Sequence, residues 1–243
     1  MQIYAEKINT KFTTMEMKMK SINFPAGNHF SAVVCLNANL PDKFVFDLVA
    51  PLPLLVADGA ANNILALGLE PTKVIGDMDS FFINNQHRIL EEKLLIIPDQ
   101  ETNDFEKILQ YCIQNNYKDL LIFGFHGGEL EHTLNNWSVL KKYCKRLNLC
   151  IFDSNRYGIP VYEPVELFVN IGEIISLIPQ PKVLLRTHNL EWELNGETLE
   201  LGRREGARNV AVGEHIILEV LEGELLLFIN HRLPIAPVFF PSF

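Results

Sequence analysis

The sequence predicts an α/β protein in two parts: an N-terminal α/β domain with a mostly parallel sheet, followed by a C-terminal all-β sandwich domain. Up to about residue 155, short and almost wholly apolar runs alternate with segments of helical period, which is the pattern of a parallel sheet covered on both faces. Beyond that point, short β-like runs follow one another with turn signals between them. We therefore expect an N-terminal segment over 1–24 that could be disordered, an α/β domain over 25–158 and a β-sandwich domain over 159–243.

Strands and helices alternate in the first part. The predicted strands are the apolar runs 31–36, 52–57, 94–97, 119–124 and 149–152. The predicted helices are 60–67, 103–115 and 132–145. Asn103 is a suitable N-cap for the second helix, because Asp104 and Glu106 then lie in its first turn, where the helix dipole favours negative charge.

The second part contains strand signals and no useful helical period. The predicted strands are 159–162, 167–169, 174–178, 183–187, 191–194, 215–220 and 224–229. Asn195-Gly196 is a strong hairpin signal and Glu222-Gly223 a weaker one, since such pairs suit turns that require positive φ. This spacing is typical of an all-β sandwich or barrel.

The composition is that of an ordinary soluble globular protein, with 48% hydrophobic and 21% charged residues. The formal charge of −9 argues against a nucleic-acid partner, which would need clustered Lys and Arg, but not against a single nucleotide. We expect no membrane partner, because no run of about 18 apolar residues occurs. The four cysteines lack metal or disulfide spacing and the first residues lack the apolar core of a secretion signal, so we expect buried free thiols and a cytoplasmic location.

The segment Gly76-Asp77-Met78-Asp79-Ser80 is the most informative one for function. Asp77 and Asp79 repel each other unless a cation or water separates them, and paired carboxylates are ligands that suit Mg²⁺. Because protein-bound Mg²⁺ commonly contacts nucleotide phosphates, the segment indicates metal-assisted phosphoryl or pyrophosphoryl transfer. An aspartate-nucleophile phosphatase is an alternative, since the two acids also fit a D-x-D motif, although only Val74-Ile75 precede Gly76 as strand-like residues.

Further polar residues and glycines follow the ends of predicted strands, where α/β sheets bind ligands. They are Asp58, Asp99, Gly127 and Gly128. Taken singly, Asp58 and Asp99 are more often simple turn residues. Lys107 lies about one helical turn after Asp104, so it shares that face of the helix and can reach a phosphate.

Four segments in order resemble the signatures of the thiamin pyrophosphokinase family. They are 58–62 (DGAAN), 76–80 (GDMDS), 99–107 (DQETNDFEK) and 124–136 (GFHGGELEHTLNN). In the second part, 189–194 is similar to a family segment that carries a tryptophan or tyrosine, and 206–209 is similar to the family's G-x-S-N. The resemblance covers about residues 30–230.

The resemblance implies a Mg²⁺-dependent homodimer with active sites between subunits, in which the hydroxyl of thiamin attacks the β-phosphorus of ATP and gives thiamin diphosphate and AMP. The nucleotide is then expected on the first domain and thiamin on the second. The implied catalytic residues are Asp77, Asp79, Asp104 and Glu131, the first three of them as metal ligands. The implied nucleotide-binding residues are Asp58, Asn62, Asp99, Gln100, Asn103, Lys107, Gly127 and Gly128. The implied thiamin-binding residues are Trp192, Arg208 and Asn209, although from the sequence alone Trp192 fits the core of the sandwich equally well.

Four positions depart from the family pattern. Glu129 stands where the family has arginine, Glu131 where it has aspartate, Asn103 where it has threonine, and Arg208 where it has serine. The first change reverses a charge close to the expected phosphates. Two alternatives therefore stay open: a pyrophosphokinase for another hydroxylated heterocycle, and a non-catalytic protein that binds a nucleotide or thiamin diphosphate. Arg208 near Glu129 would restore the lost charge, but two independent solvated side chains fit as well.

Overall fold

The computed structural model describes residues 19–83 and 89–241. The strands are, in chain order, β1 Lys20–Asn23, β2 Ala32–Cys35, β3 Leu54–Ala57, β4 Lys73–Gly76, β5 Leu94–Ile96, β6 Asp119–Phe123, β7 Asn148–Asp153, β8 Arg156–Val161, β9 Val165–Phe168, β10 Ile174–His188, β11 Asn195–Glu200, β12 Gly206–Val210, β13 His215–Asn230 and β14 Val238–Pro241. The helices are α1 Lys43–Val49, α2 Asp58–Ala66, α3 Asp79–Ile83, α4 Asp104–Gln114 and α5 Leu130–Tyr143, with a 3-10 turn at Glu91–Lys93. The predicted α/β part followed by an all-β part is confirmed.

The first half is built on a parallel sheet. Its strand order is β7-β6-β2-β3-β4-β5, and every neighbouring pair in it is parallel. All residues of β2 and β3 are buried, because helices cover both faces of the central strands. Each predicted strand of this half is present, whereas β4 was not predicted, since Val74 and Ile75 are its only strongly apolar residues.

The three predicted helices are confirmed, with shifted ends. α2 begins at Asp58 and α5 at Leu130, in each case two residues before the predicted start. The predicted N-cap is also confirmed, because Asn103 Oδ1 accepts a hydrogen bond of 2.9 Å from the backbone N–H of Glu106. The short α1 was not predicted; its buried side chains Val45, Phe46 and Val49 hold it on the sheet.

Two long strands organise the second half. β10 joins the predicted strands 174–178 and 183–187, and β13 joins 215–220 and 224–229. The strand predicted over 191–194 is wrong, because these residues lie in the loop between β10 and β11. Thr187 closes this loop: its Oγ1 accepts from the N–H of Leu194 at 2.8 Å and its own N–H donates back to the Leu194 carbonyl at 2.8 Å.

Two glycines that resembled turn residues lie inside these paired strands. Gly196 and Gly223 have φ of 79° and 84°. Gly196 is the extra residue at a register shift between β10 and β11, and Gly223 lies beside a shift between β10 and β13. The hairpin turns predicted at these two sites are therefore wrong. Positive φ suits a β-bulge as well as a turn, and bulges let long strands bend.

β1 and β8 bear on the domain limits. β1 falls within the segment 1–24, and it pairs with β9 and β14 of the second half and buries Ile22 completely. Residues 1–18 lie outside the described part of the chain. β8 spans the boundary at 158/159 and pairs with β7 on one side and β13 on the other, so one continuous sheet runs through both halves. The limits 25–158 and 159–243 remain a proposal.

Two predictions, on the cysteines and on membrane-spanning segments, can be compared with the structure. All four cysteines are buried and free, as predicted; they are Cys35, Cys112, Cys144 and Cys150. In the ranges 19–83 and 89–241, no helix has both the length and the apolar character needed to cross a membrane.

Candidate active site

Three aspartates meet at the carboxyl ends of neighbouring parallel strands. Asp58 begins α2 directly after β3, Asp77 follows β4, and Asp104 begins α4. Gly76 makes their approach possible: a Cβ atom at this position would lie 2.8 Å from Cβ and Cγ of Asp58 and 3.1 Å from Oδ1 of Asp104. Any larger residue there would push the acids apart.

Asp58 is the buried member of this acidic cluster, which we define as Asp58, Asp77 and Asp104. Only 2% of Asp58 is exposed, and its Oδ2 has no hydrogen-bond partner among the described residues. Burial raises the pKa of Asp58 to about 7, and the charge and hydrogen bond of Asp104 and the charge of Asp77 add to the rise. Asp58 is therefore partly protonated near neutral pH.

Asp77 is held in the ionised form by two donors. Gln100 Nε2 donates to its Oδ2 at 3.0 Å, and the backbone N–H of Asp79 donates to its Oδ1 at 3.2 Å. These two hydrogen bonds, that of Gln100 first, lower the pKa of Asp77. Met78 between the acids is fully buried with φ of 71°, a costly conformation for a non-glycine residue that is typical of functional sites. Asp79 opens α3 and is exposed.

Lys107 supplies positive charge beside the cluster. Its side chain is only 3% exposed, and its Nζ lies 3.4 Å from Asp104 Oδ1. Its charge also contributes, behind hydrogen bonds, to the lowered pKa of Asp77 and Asp99. Lys107 therefore faces several carboxylates, and one lysine leaves the site with surplus negative charge.

The residues present suit a hard divalent cation. The unpartnered Asp58 Oδ2, the carboxylates around it and the surplus negative charge are features of an oxygen-ligand site. In the part of the chain that the structure describes, however, no three His, Cys, Asp or Glu side chains form a ready-made metal cage. The predicted ligands Asp77, Asp79 and Asp104 would therefore have to close on the ion.

Three predicted nucleotide-binding residues have local structural partners. Asp99 is exposed and accepts hydrogen bonds within its own turn, from the N–H of Glu101 at 3.1 Å and from the hydroxyl of Thr102. Asn103 caps α4. Asn62 Nδ2 donates to the Phe81 carbonyl at 3.4 Å and so links α2 to α3, while its buried Oδ1 has no partner among the described residues.

The loop after β6 carries Gly127 and Gly128, with φ of 113° and 65°. A Cβ atom on Gly127 would lie 2.4 Å from Cγ of Asn39, and the Asn39 N–H donates to the His126 carbonyl at 3.1 Å. The loop after β2 thus packs directly on the glycine loop, and the sequence analysis did not include Asn39 in the site. The rule applied to the other strands, that polar residues after a strand line the cleft, would have found it.

The acidic residues on and before α5 face solvent. Glu131 lies in the first turn of α5 and is exposed. Glu129 Oε2 lies 3.1 Å from Nε2 of His132, also at the surface. Neither forms a hydrogen bond or ion pair with Arg208 among the described residues, so within one chain the structure gives no support to charge compensation between Glu129 and Arg208.

Trp192 lies on the surface of the β half and is 58% exposed, which rules out a core position. Asn209 fixes its backbone: Oδ1 accepts from the Trp192 N–H at 3.1 Å, and Nδ2 donates to the Trp192 carbonyl at 2.8 Å. Asn209 itself is only 6% exposed. Trp192 borders a cavity of about 170 Å³ that Leu177, Leu199 and Asn209 also line.

The structure therefore brings the predicted site residues together in two groups. Asp58, Asp77, Gln100, Asp104 and Lys107 form one, and Trp192 with Asn209 forms the other, with Arg208 next to it in sequence. No hydrogen bond or ion pair joins the two groups within the described ranges.

The first group lies in a segment of the chain that matches a known protein family. Residues 53–151, which contain the acidic cluster and the glycine loop, match the family model described as thiamin pyrophosphokinase, catalytic domain. Thiamin pyrophosphokinase 1 of Caenorhabditis elegans is 23% identical over 182 residues, and the alignment covers 68% of this chain and 74% of the relative.

Solved structures show the same fold. Thiamine pyrophosphokinase from Bacillus subtilis superposes with a TM-score of 0.65 at 18% identity, covering 83% of this chain and 100% of that one. Yeast thiamin pyrophosphokinase gives 0.65 at 16% identity, covering 93% and 94% of the two chains. Together with the family match, these similarities confirm the resemblance to thiamin pyrophosphokinases that the motifs predict.

Proposed function

We propose that this chain is an enzyme that transfers pyrophosphate from ATP to the hydroxyl of thiamin, with Mg²⁺ as cofactor, and gives thiamin diphosphate and AMP. The observation that carries the proposal is the acidic cluster with Lys107 at the carboxyl edge of the sheet, inside the segment that matches the catalytic-domain model. Phosphoryl-type transfer needs little covalent work from a protein beyond positioning and neutralisation of phosphate charge.

The residues have separable tasks in this reaction. Asp77, Asp79 and Asp104 would hold Mg²⁺, which when bound neutralises phosphate charge and orients the phosphate chain. Asp58, with its pKa raised to about 7, must lose its proton before the cluster carries its full negative charge. Lys107 is oriented by Asp104 and presents a cation to the same cleft. The remaining proposed nucleotide contacts are Asn62, Asp99, Gln100, Asn103, Gly127 and Gly128.

The second group is proposed to bind the acceptor. Trp192 presents an exposed indole face to an aromatic ring, and Asn209 holds the loop that carries it. Glu131, near the glycine loop, is the proposed additional catalytic carboxylate.

We propose a homodimer with each active site between subunits, located in the cytoplasm, with no nucleic-acid or membrane partner. The exposed indole of Trp192, and the absence of a hydrogen bond or ion pair between the two groups within the described ranges, support the shared site. A mixture of Asp77→Asn and Trp192→Ala tests it, assayed at a thiamin concentration well below KM, where each variant alone keeps about a tenth of the activity or less. If the sites are shared, mixed dimers contain one intact site each, and activity returns to about one quarter of the wild-type value. Sites within single chains predict no recovery.

A non-catalytic binding protein is the second candidate, because Glu129 places negative charge where the family has an arginine, and Glu131 keeps the charge of the expected aspartate but moves it by one methylene. AMP production from ATP, Mg²⁺ and thiamin separates the two candidates. We expect AMP and thiamin diphosphate in equal amounts, with loss of both on EDTA addition. Nucleotide binding without AMP would sink the kinase proposal for thiamin, and AMP formed only with another hydroxylated heterocycle would change the acceptor alone.

A further inference from the structure

Two arginines lie together on the β half without an acidic partner. Arg156 begins β8, and its Nη2 donates to the carbonyls of Ile174 and Phe228, both at 2.7 Å. Its Nη1 donates to Ser176 Oγ at 3.3 Å, while its Nε is buried with no partner among the described residues. Burial, and then the charge of the neighbouring Arg208, lowers the pKa of Arg156.

Glu173 is the acid whose charge raises the pKa of Arg156, but Glu173 is already paired with another arginine. The Glu173 side chain is fully buried, and its oxygens accept hydrogen bonds from Arg232 at 2.7 and 3.0 Å. They also accept from the backbone N–H groups of Asn170 and Asn230. Within the described ranges, neither Arg156 nor Arg208 forms an ion pair with a carboxylate. This arginine pair, Arg156 and Arg208, therefore carries uncompensated positive charge.

A β-bulge in β12 places the backbone of Arg208 next to Ser176, which also contacts Arg156. Between the paired residues Leu177–Gly206 and Ile175–Asn209, β12 has two residues opposite Ser176 alone, which makes a β-bulge. Arg208 has φ of 59° at this bulge, and its N–H donates to Ser176 Oγ at 3.0 Å. One hydroxyl thus accepts from the guanidinium of Arg156 and from the backbone N–H of Arg208. A non-glycine residue in this conformation is costly, and bulges near binding sites commonly redirect side chains.

Each arginine is connected to a loop that carries predicted site residues. Arg156 is the strand partner of Asp153 across the β7–β8 turn, and Asp153 Oδ1 lies 3.0 Å from His126 Nδ1. His126 directly precedes Gly127 of the glycine loop. On the other side, Arg208 directly precedes Asn209, which holds Trp192. The arginine pair is therefore linked to the glycine loop through His126 and Asp153, and to the Trp192 loop through Asn209.

We propose that Arg156 and Arg208 form an anion subsite that takes a phosphate group of a diphosphate or nucleotide, with Ser176 as the residue that holds the Arg156 guanidinium and the backbone of Arg208. The exposed Arg208 suits phosphate because its planar fork can donate two parallel hydrogen bonds, while Arg156, whose Nη2 already donates to two carbonyls, contributes its charge. Next to the glycine loop, Glu129 stands where the family has a positively charged arginine. The subsite would supply positive charge from the β half instead. It goes beyond the proposed function, because binding there needs neither Mg²⁺ nor turnover.

Equilibrium binding of inorganic pyrophosphate in EDTA, by titration calorimetry at low salt, tests the subsite. EDTA removes divalent metal, so the acidic cluster repels the ligand instead of binding it. We expect Arg208→Ser to weaken pyrophosphate binding about tenfold, the order for one charge-assisted hydrogen bond, and Arg208→Lys to weaken it less. The matched control is Arg203→Ser, since Arg203 is exposed and already has Glu200 as a partner at 3.6 Å.

Several results would overturn the subsite: no pyrophosphate binding to the wild type, equal affinity for wild type and Arg208→Ser, or an equal loss in Arg203→Ser. Arg208→Lys retains the charge and gives a second comparison if the serine variant does not fold. A parallel titration with ATP in EDTA tells whether nucleotide phosphates use the same subsite, because Arg208→Ser then weakens both ligands. Failure of the AMP assay would leave these binding results intact, so the two proposals can fail separately.

Discussion

The acidic cluster of the α/β half and the Trp192 loop of the β half are held in place by different means. Asp58, Asp77 and Asp104 are fixed by backbone topology, since each follows or faces the end of a parallel strand and Gly76 lets them approach. Trp192 is fixed by one buried side chain, Asn209, which holds the loop backbone through two hydrogen bonds. We therefore expect substitutions in the acidic cluster to act mainly through charge. Substitutions in the Trp192 loop should act mainly through packing and hydrogen bonds.

The largest expected effect is that of Asp77→Asn. It removes a carboxylate that two donors hold in the ionised form, so the cluster loses charge for a cation while its shape is kept. We expect kcat for AMP formation to fall about 100-fold or more. The matched control is Asp47→Asn on the exposed face of α1, which should leave kcat unchanged. Equal activity in both variants would remove Asp77 from the proposed metal site.

The pH dependence of stability should reveal the buried acid next. The folded pKa of Asp58 is raised, so between about pH 4 and pH 7 the folded state keeps a proton that the unfolded chain has released. In EDTA, stability from this group is therefore present at low pH and lost as pH rises, at most by about 1.4 kcal/mol per pH unit. Urea unfolding of wild type and Asp58→Asn at pH 5 and pH 7 measures it. Parallel pH dependences in the two proteins would contradict the raised pKa.

In the β half, we expect Asn209→Ala to lower stability rather than chemistry alone. The substitution leaves the backbone N–H and carbonyl of Trp192 without partners in a partly buried position, which costs about 1–3 kcal/mol of unfolding free energy. Urea unfolding measures the loss. An unchanged midpoint would mean that water replaces the side chain and that Asn209 does not hold the loop.

The smallest expected effect is that of Trp192→Ala on folding. Because Trp192 is 58% exposed, the unfolding midpoint should hardly change, while KM for thiamin rises about tenfold through lost ring stacking. Trp192→Phe should retain part of the affinity. A large loss of stability with no change in KM would make Trp192 a structural residue and would reverse the contrast with Asn209.

The same contrast explains what the sequence could predict. In the α/β half, apolar runs covered on both faces identify strands, and ligand residues follow strand ends, so Asp58, Asp77 and Asp104 were found together. Short elements escaped detection there, because β4 has little apolar signal and α1 is held by tertiary packing. Asn39 also follows a strand end, that of β2, but its contact with Gly127 joins loops far apart in sequence, so only the strand-end rule could have found it.

In the β half, the glycine signals in the sequence do not distinguish a turn from a β-bulge. Positive φ at Gly196 and Gly223 is compatible with either a turn or a bulge, and only the pairing of β10 with β11 and β13 decides between them. The surface position of Trp192 depends on the same pairing. The arginine pair could not be predicted at all, because a bulge at Arg208 brings together residues about 50 positions apart in sequence.

The central claim is that the acidic cluster serves pyrophosphate transfer rather than transfer of a single phosphate. Incubation with Mg²⁺, thiamin and ATP labelled at the β-phosphorus tests it most directly. We expect the label in thiamin diphosphate, together with an equal amount of unlabelled AMP. In EDTA, neither thiamin diphosphate nor AMP should form. Label in ADP, or on a covalently modified aspartate of the protein, would contradict it.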